Sequence, residues 1–123
     1  MKQKIELSTP LLPISVLSNI LKVHQRTLRI YDENGLLTPT RSENNRRLYS
    51  YSDLEKAKLI IYFTRNLALN LAGVKIILGL FEELKIKPNN YEELIAKIVT
   101  LKGIDEQENL KKTARRGRKV IAK

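Results

Sequence analysis

Hydrogen-bonding side chains on one side of a predicted helix are the clearest candidates for chemistry in this sequence. Gln25, Arg26 and Arg29 share that side when residues are placed about 100° apart around the helix axis. A planar guanidinium can donate two hydrogen bonds at once, which suits the O6 and N7 acceptors of guanine in the major groove. Arg29 is therefore a candidate for base contact, and an ion pair with Glu33 is its structural alternative. For Gln25 and Arg26, base and phosphate contacts are equally open.

Metal and acid–base chemistry have little support in the sequence. The chain has no cysteine and one histidine, His24, so thiolate ligands are excluded and a zinc or copper site is not expected. Asp53 and Glu55 are near enough in sequence to suggest paired carboxylates. Both fall in the first turn of a predicted helix, however, where acids stabilise the helix dipole. We therefore predict no catalytic residues, no metal, no cofactor and no enzyme activity.

The positive charge of the chain is concentrated near its end. The net charge is +10, but residues 111–123 hold seven of the 23 basic residues and no acidic one, which leaves 16 basic against 13 acidic residues elsewhere. Bulk charge therefore says little about what the folded part binds. We expect residues 111–123 to be a mobile tail that is either solvated or adds sequence-independent affinity for DNA.

The candidate side chains on the helix depend on neighbouring elements for their position. Apolar residues at helical spacing predict a first helix over Ile14–Lys22, with Ser15 as its N-cap. The second helix runs over Gln25–Glu33 and stops at the pair Asn34-Gly35. Two short helices joined by a tight turn are typical of a helix-turn-helix. His24 ends that turn, where its imidazole could cap the second helix or approach a phosphate.

Residues 36–51 have the character of strands rather than of a helix. The pair Asn44-Asn45 is a turn signal, and we interpret the segment as a small β-hairpin that forms a wing. Arg46 and Arg47 are neighbours on its second strand, so the alternation of side chains points them to opposite sides. One of them is expected to reach a phosphate or the minor groove.

Two further helices follow the hairpin. The segment Ser52-Asp53-Leu54-Glu55 is a capping-box pattern and predicts a third helix that ends at about Leu67. Asn70 can cap a fourth helix. Its inward-facing stripe is predicted from three- and four-residue steps to consist of Val74, Ile77, Leu78, Phe81 and Leu84.

The fifth predicted helix indicates pairing between two copies of the chain. A break at residues 88–90 precedes apolar residues at heptad-like spacing. Their stripe is wider than a lone surface helix needs, which predicts a dimerisation helix in residues 88–110 and leaves residues 1–87 as the DNA-binding domain. The predicted contact residues are Tyr91, Leu94, Ile95, Ile98 and Leu101.

Two motifs resemble those of the MerR family of transcription regulators. Residues 29–37, RIYDENGLL, match the family's signature of an arginine, a tyrosine, an acid and Gly-Leu, and residues 46–50, RRLYS, match its wing signature. The resemblance implies a mainly α fold. Its parts would be a winged helix-turn-helix DNA-binding domain, with a small β-hairpin wing, and a C-terminal dimerisation helix.

Within this family the chain is similar to the HspR subgroup of heat-shock repressors. Residues 24–37, HQRTLRIYDENGLL, and residues 70–74, NLAGV, carry this similarity. It implies a homodimer that represses chaperone operons by binding inverted repeats in double-stranded DNA, and in several members the chaperone DnaK is a co-repressor. Lys22 and Asn45 depart from the family, because most relatives have glycine at these turn positions. Lysine accepts a left-handed backbone less readily than asparagine does.

The resemblance also implies site residues. Tyr49 resembles the wing tyrosine that bonds the DNA backbone, and the resemblance favours Arg47 over Arg46 as the wing arginine that reaches DNA. The ring of Tyr31 can close the core while its hydroxyl reaches a phosphate, and Thr27 is expected to support the helix start. The full predicted DNA-contacting set is Lys22, His24, Gln25, Arg26, Thr27, Arg29, Tyr31, Arg41, Arg46, Arg47 and Tyr49.

These features favour a regulator over its alternatives. No run approaches the roughly 18 apolar residues of a membrane span, and the first residues lack the apolar core of a signal peptide, so we expect a cytoplasmic protein. A MerR-type regulator of other genes is the first alternative. An architectural winged-helix protein, such as an excisionase or packaging adaptor, often lacks the fourth and fifth helices. An enzyme acting on nucleic acid would need clustered carboxylates or an activated nucleophile.

Overall fold

The computed structural model describes residues 6–104. The chain divides between Lys58 and Leu59 into two compact units. The fourth and fifth helices belong to the same unit, where the ring centroids of Phe81 and Tyr91 are 4.9 Å apart. The boundary after residue 87 between a DNA-binding domain and a dimerisation helix stays a prediction. The predicted basic tail, residues 111–123, lies outside the described residues.

The first unit begins with a short strand and two helices. Strand β1 spans Leu12–Pro13, helix α1 spans Ile14–Leu21 and helix α2 spans Gln25–Glu33. The predicted bounds of α2 are confirmed. The predicted cap of α1 is wrong, because Pro13 rather than Ser15 occupies the N-cap position. Proline has no N–H to satisfy, and its φ of −63° is already that of a helix.

The turn between α1 and α2 contains a left-handed residue, Lys22. Lys22 has a φ of 58° and a ψ of 46°, and the N–H of Val23 donates to the carbonyl of Ser18 at 3.1 Å. This backbone costs a lysine about 1 kcal/mol, because its Cβ approaches the following carbonyl oxygen. Asn45 also has a positive φ, 62°, and asparagine tolerates this conformation better.

The wing is a hairpin, as predicted, and it belongs to a three-stranded sheet. Strands β2 (Thr40–Arg41) and β3 (Arg47–Tyr49) pair antiparallel with Arg41 opposite Arg47. Strand β1 pairs antiparallel with the other edge of β3, so the strand order is β1-β3-β2. The sequence does not predict β1, because a two-residue strand that ends in proline carries no alternation signal.

Helix α3 spans Tyr51–Ile61 and begins with a capping box. Ser50 Oγ accepts from the N–H of Asp53 at 3.0 Å, and Asp53 Oδ2 accepts from the N–H of Ser50 at 2.9 Å. The box predicted from Ser52 to Glu55 is wrong by two residues. Both pairs have the same spacing, and the aspartate takes the part that glutamate usually has.

The second unit contains the end of α3 and a wider helical turn. A π-helical turn over Tyr62–Asn66 follows α3 directly, and its C-cap is Leu67, close to the predicted end of the helix. Thr64 Oγ1 donates to the carbonyl oxygens of Ile60 and Ile61 at 3.0 and 3.1 Å. Side-chain hydrogen bonds of this kind compete with the backbone ladder and bend helices.

Helix α4 spans Leu71–Glu83, and its predicted cap is confirmed because Asn70 Oδ1 accepts from the N–H of Gly73 at 2.8 Å. Leu84 is 68% exposed, so the prediction that it faces inward is wrong. It follows the last turn of the helix, where the helical spacing no longer sets its direction. The rest of the predicted stripe is buried or half-buried: Val74, Ile77, Leu78 and Phe81.

Helix α5 follows a short 3-10 turn over Pro88–Asn90, at the break predicted from the sequence. It spans Tyr91–Lys102 and ends at Gly103, whose φ of 65° is the left-handed conformation that stops a helix. None of the helices among residues 6–104 has the length and apolar character to cross a membrane.

Candidate nucleic-acid interface

Helix α2 is held in place by its apolar side. Leu28 and Tyr31 are buried, in agreement with the core role predicted for the Tyr31 ring, and Leu17 of α1 is also fully buried. Gly35 follows the helix with a φ of 72°, which turns the chain so that the next residue, Leu36, is buried too. The opposite side of α2 therefore faces outward.

The outward side of α2 carries the predicted polar cluster. Arg26 and Arg29 are exposed and Gln25 is half-buried. Arg29 Nη2 donates to Gln25 Oε1 at 3.2 Å, so in this structure Arg29 pairs with the amide one turn before it rather than with Glu33. This bond aligns the two side chains and leaves the other guanidinium donors for an acceptor such as a guanine edge.

The start of α2 presents further donors. His24 is the N-cap residue, but its side chain makes no capping bond within the described residues; its carbonyl accepts from the N–H of Thr27 at 3.0 Å. The imidazole and the Lys22 ammonium are both exposed, whereas Thr27 is half-buried. Of the two roles open to the His24 side chain, capping is not observed.

The wing arginines differ in what they contact. Arg47 Nε donates to Asp32 Oδ2 at 3.1 Å, and the Arg47 side chain is 22% exposed. Arg41 Nη2 lies 4.0 Å from the same carboxylate oxygen, and its Nη1 donates to the carbonyl of Asn45 at 3.1 Å. Arg46 is exposed, and no hydrogen bond or ion pair of its side chain occurs among the described residues. The geometry thus favours Arg46 over Arg47 for contact with a phosphate.

Tyr49 is not placed to bond a DNA backbone. Its side chain is 0% exposed, and its hydroxyl is buried with no hydrogen-bond partner among residues 6–104. Burial raises the pKa of Tyr49 to about 12. This burial does not fit the predicted phosphate contact of Tyr49. Tyr49 lies on the central strand, opposite Leu12 of β1, and β1 is the element that the sequence does not predict.

Asp32 is a site residue that its sequence position does not reveal. Spacing marks it only as the acid of the motif at residues 29–37, between Tyr31 and Glu33. The structure places its carboxylate against two wing arginines. A signal was available, because an acid on α2 with several arginines in the wing suggests a charge pair, but spacing along the chain could not indicate which arginine it would meet.

The predicted dimerisation residues of α5 divide into two groups. Tyr91 and Ile95 are buried within their own unit, where Tyr91 packs on Phe81. Ile98 is 38% exposed and Leu101 is 74% exposed. Leu94 is half-buried. Only the exposed residues offer apolar surface to a second copy.

Curated relatives are transcription regulators that share only part of this chain. The HTH-type transcriptional regulators GlnR of Bacillus anthracis and Bacillus cereus are 39% identical over 71 residues, which cover 58% of this chain and 54% of theirs. A Streptomyces coelicolor protein named as heat shock protein HspR is 38% identical over 72 residues, which cover 58% of this chain and 48% of its own. The chain therefore spans about half the length of these relatives.

A solved structure and a protein family agree with these matches. The crystal structure of a MerR-family transcriptional regulator from Bacillus cereus is similar with a TM-score of 0.51 and 26% identity, over 75% of this chain and 72% of that chain. Residues 12–79, more than half of the chain, match the MerR HTH family of regulatory proteins. This range contains α1, α2, the wing and α3. The chain therefore belongs to the MerR HTH family, whose members are DNA-binding transcription regulators.

Proposed function

We propose that this chain represses transcription by binding a specific DNA sequence, without catalysing a reaction. The observation that carries the proposal is the outward side of α2, where Arg29 is exposed and aligned by its bond to Gln25. In this proposal α2 enters the major groove and Arg29 reads a guanine. Arg26 contacts a base or a phosphate beside it.

The residues around α2 are proposed to fix its register through phosphate contacts. Lys22 and His24 are exposed at the start of the helix, next to the backbone N–H groups that favour anions there. Arg46 and Arg41 are exposed on the wing. Contacts of this kind position a protein on the duplex and carry no sequence information themselves.

The proposal includes a homodimer that binds an inverted repeat. Two copies of α2 could then occupy successive major grooves, about 34 to 36 Å apart. The exposed residues Ile98 and Leu101 support a dimer contact through α5, because they are apolar and remain 38% and 74% exposed within the described chain. Bound at a promoter, such a dimer would block transcription.

The heat-shock operons are the proposed target, and a regulator of other genes is the second candidate. The motifs at residues 24–37 and 70–74 support the first. The second is favoured by the match to GlnR, whose identity of 39% is no lower than the 38% to the HspR protein. A chaperone such as DnaK is proposed as co-repressor on the resemblance to the HspR subgroup alone.

Footprinting on genomic fragments separates these candidates. The intact chain is incubated with fragments that cover the promoters of the source genome, and protected bases are mapped. Protection of an inverted repeat upstream of chaperone genes is the result expected for a heat-shock repressor. Protection of an inverted repeat elsewhere would leave a MerR-family regulator of other genes, and uniform protection of all fragments would contradict sequence-specific binding altogether.

A further inference from the structure

One carboxylate connects α2 to both strands of the wing. Asp32 Oδ2 accepts from Arg47 Nε of β3 at 3.1 Å and lies 4.0 Å from Arg41 Nη2 of β2. The Asp32 side chain is only 18% exposed. Arg41 also contacts the tip of the wing, where its Nη1 donates to the carbonyl of Asn45. The contacts thus run from the helix, through both strands, to the turn.

An acid at this place has an electrostatic cost for DNA binding. A carboxylate on the helix that approaches DNA repels phosphates, and a neutral residue would remove that repulsion. Glu33, the next residue, is exposed on the same helix and makes no hydrogen bond or ion pair among the described residues. Asp32 and Glu33 therefore carry the same charge on the same helix, but only Asp32 holds wing residues.

The wing needs such a contact because it is small. Strand β2 has two residues and β3 has three, and a hairpin of this size is marginally stable in water by itself. A hydrogen bond between ionised groups is about twice as strong as one between neutral groups, and partial burial screens it less than a surface pair. The pair between Asp32 and Arg47 can therefore decide the orientation of the wing.

We propose that Asp32 is a positioning residue for DNA binding: it holds Arg47 against α2 and thereby directs Arg46, which directly precedes β3, toward the phosphates. Arg46 lies outside β3, but its carbonyl accepts from the N–H of Ser42 at 2.9 Å, which continues the hairpin pairing by one residue. Adjacent residues of paired extended chains point to opposite sides, so fixing Arg47 inward sets the direction of Arg46. Arg47 then acts through Asp32 and not by touching DNA. This inference rests on the proposed function, because it assumes that α2 and the wing approach the same duplex.

The variant Asp32→Asn tests this, with Glu33→Gln as the matched control. Both remove one negative charge from α2 and keep the shape of the side chain. Dissociation constants are measured on a duplex that the intact chain selects from a random-sequence library, and on a scrambled duplex. We expect Asp32→Asn to weaken binding to the selected duplex about tenfold. Glu33→Gln should bind equally well or more tightly. If Asp32→Asn also tightens binding to both duplexes, Asp32 is only a repelling charge and the proposal is overturned.

A double-mutant cycle tests the part assigned to Arg47. If Arg47 acts through Asp32, the variant Arg47→Gln and the double variant should weaken binding to the same extent as Asp32→Asn. Losses that add would show that Arg47 touches DNA independently, which contradicts the proposal. Circular dichroism melts identify a variant that fails to fold. If Asp32→Asn is that variant, Arg47→Gln is compared with Glu33→Gln instead, because it breaks the same ion pair at the wing residue.

The free protein provides a readout that does not depend on an operator. In nuclear magnetic resonance spectra of the intact chain, the Arg47 Nε–H should exchange slowly with water, and Asp32→Asn should accelerate that exchange and increase the mobility of the amides at residues 42–46. Glu33→Gln should change neither. Unchanged exchange and mobility in Asp32→Asn would overturn the inference even where specific DNA binding holds. A chain that selects no duplex, but shows the expected changes, would overturn the proposed function alone.

Discussion

Helices α2 and α5 both carry residues predicted to contact a partner, but the two sets differ in how far they are exposed. The predicted polar residues of α2 lie on its outward side, whereas Leu28 and Tyr31 on the opposite side are buried. On α5 the predicted set splits, because Tyr91 and Ile95 are buried in their own unit. Polar residues are left at the surface by the cost of desolvation. An apolar stripe, in contrast, can be buried either in the chain's own core or against a partner.

The largest expected effect concerns the exposed part of α5. Leu101→Asp should weaken self-association at least about 100-fold, since a dimer would lose two buried leucines and gain two buried charges. Sedimentation equilibrium of the intact chain measures this directly. Leu84→Asp, at the C-cap of α4, is the matched control, because Leu84 is exposed to a similar degree and lies outside the predicted contact set. A dimer that survives Leu101→Asp but dissociates with Leu84→Asp would move the interface from α5 to α4.

The next effect concerns the readout by α2. Arg29→Ala should cost about 1 to 3 kcal/mol in binding to the selected duplex and relax the preference for one base pair. Binding to a scrambled duplex should change much less. Lys97→Ala, which removes an exposed cation of α5, is the control. Equal losses on both duplexes would make Arg29 a phosphate contact instead of a base contact.

A smaller effect is expected at the buried tyrosine of the wing. Tyr49→Phe should raise the free energy of unfolding by about 1 kcal/mol, because it removes a buried hydroxyl that has no partner among the described residues. DNA affinity should not change. A loss of affinity would instead return Tyr49 to the set of phosphate contacts. Chemical denaturation and binding titrations with the same two duplexes measure both quantities.

The raised pKa of Tyr49 gives this prediction a pH dependence. The folded state keeps the phenol protonated to a pKa of about 12, whereas the unfolded chain loses the proton near 10. The stability that the neutral phenol provides is therefore complete below pH 10 and is lost as the pH rises toward 12. Over that window the wild-type chain should lose more stability than Tyr49→Phe. Parallel losses in the two chains would mean that the hydroxyl is accessible to water.

The smallest effect is expected at the turn before α2. Lys22→Gly should change stability by less than about 1 kcal/mol, because relief of the left-handed strain is partly offset by the greater entropy of glycine in the unfolded chain. If Lys22 contacts a phosphate, DNA binding should weaken, and its log–log dependence on salt should become less steep by about 0.9. An unchanged salt dependence would mean that Lys22 has a structural role in the turn and contacts no phosphate. Binding titrations at several salt concentrations decide between the two.

Local patterns predicted much of the fold because they depend on neighbouring residues only. The bounds of α2, the cap at Asn70 and the wing hairpin all follow from spacing and turn residues. The misplaced capping box shows where such patterns fail. The capping box was placed at Ser52 instead of Ser50 because two serines offer the same pattern. Local sequence cannot choose between equivalent patterns.

The candidate site could be predicted only as far as residue types determine it. The outward polar cluster on α2 follows from helical periodicity, but the partners of its charges do not. Asp32 and Arg47 are 15 positions apart, and their bond forms because the wing folds back to α2. The burial of Tyr49 depends in the same way on β1, a strand that pairs with β3 from a distant part of the sequence.

The sequence by itself determined the family, the bounds of helix α2 and the residue types on its outward side. These follow from short motifs and from the 3.6-residue period, which any helix of this composition would show. The tertiary structure alone decided which arginine of the wing is held by Asp32, which tyrosine loses contact with water, and which apolar residues of α5 remain exposed. The physical reason is that burial and ion pairing depend on residues brought together by folding, and a one-dimensional spacing does not contain that information.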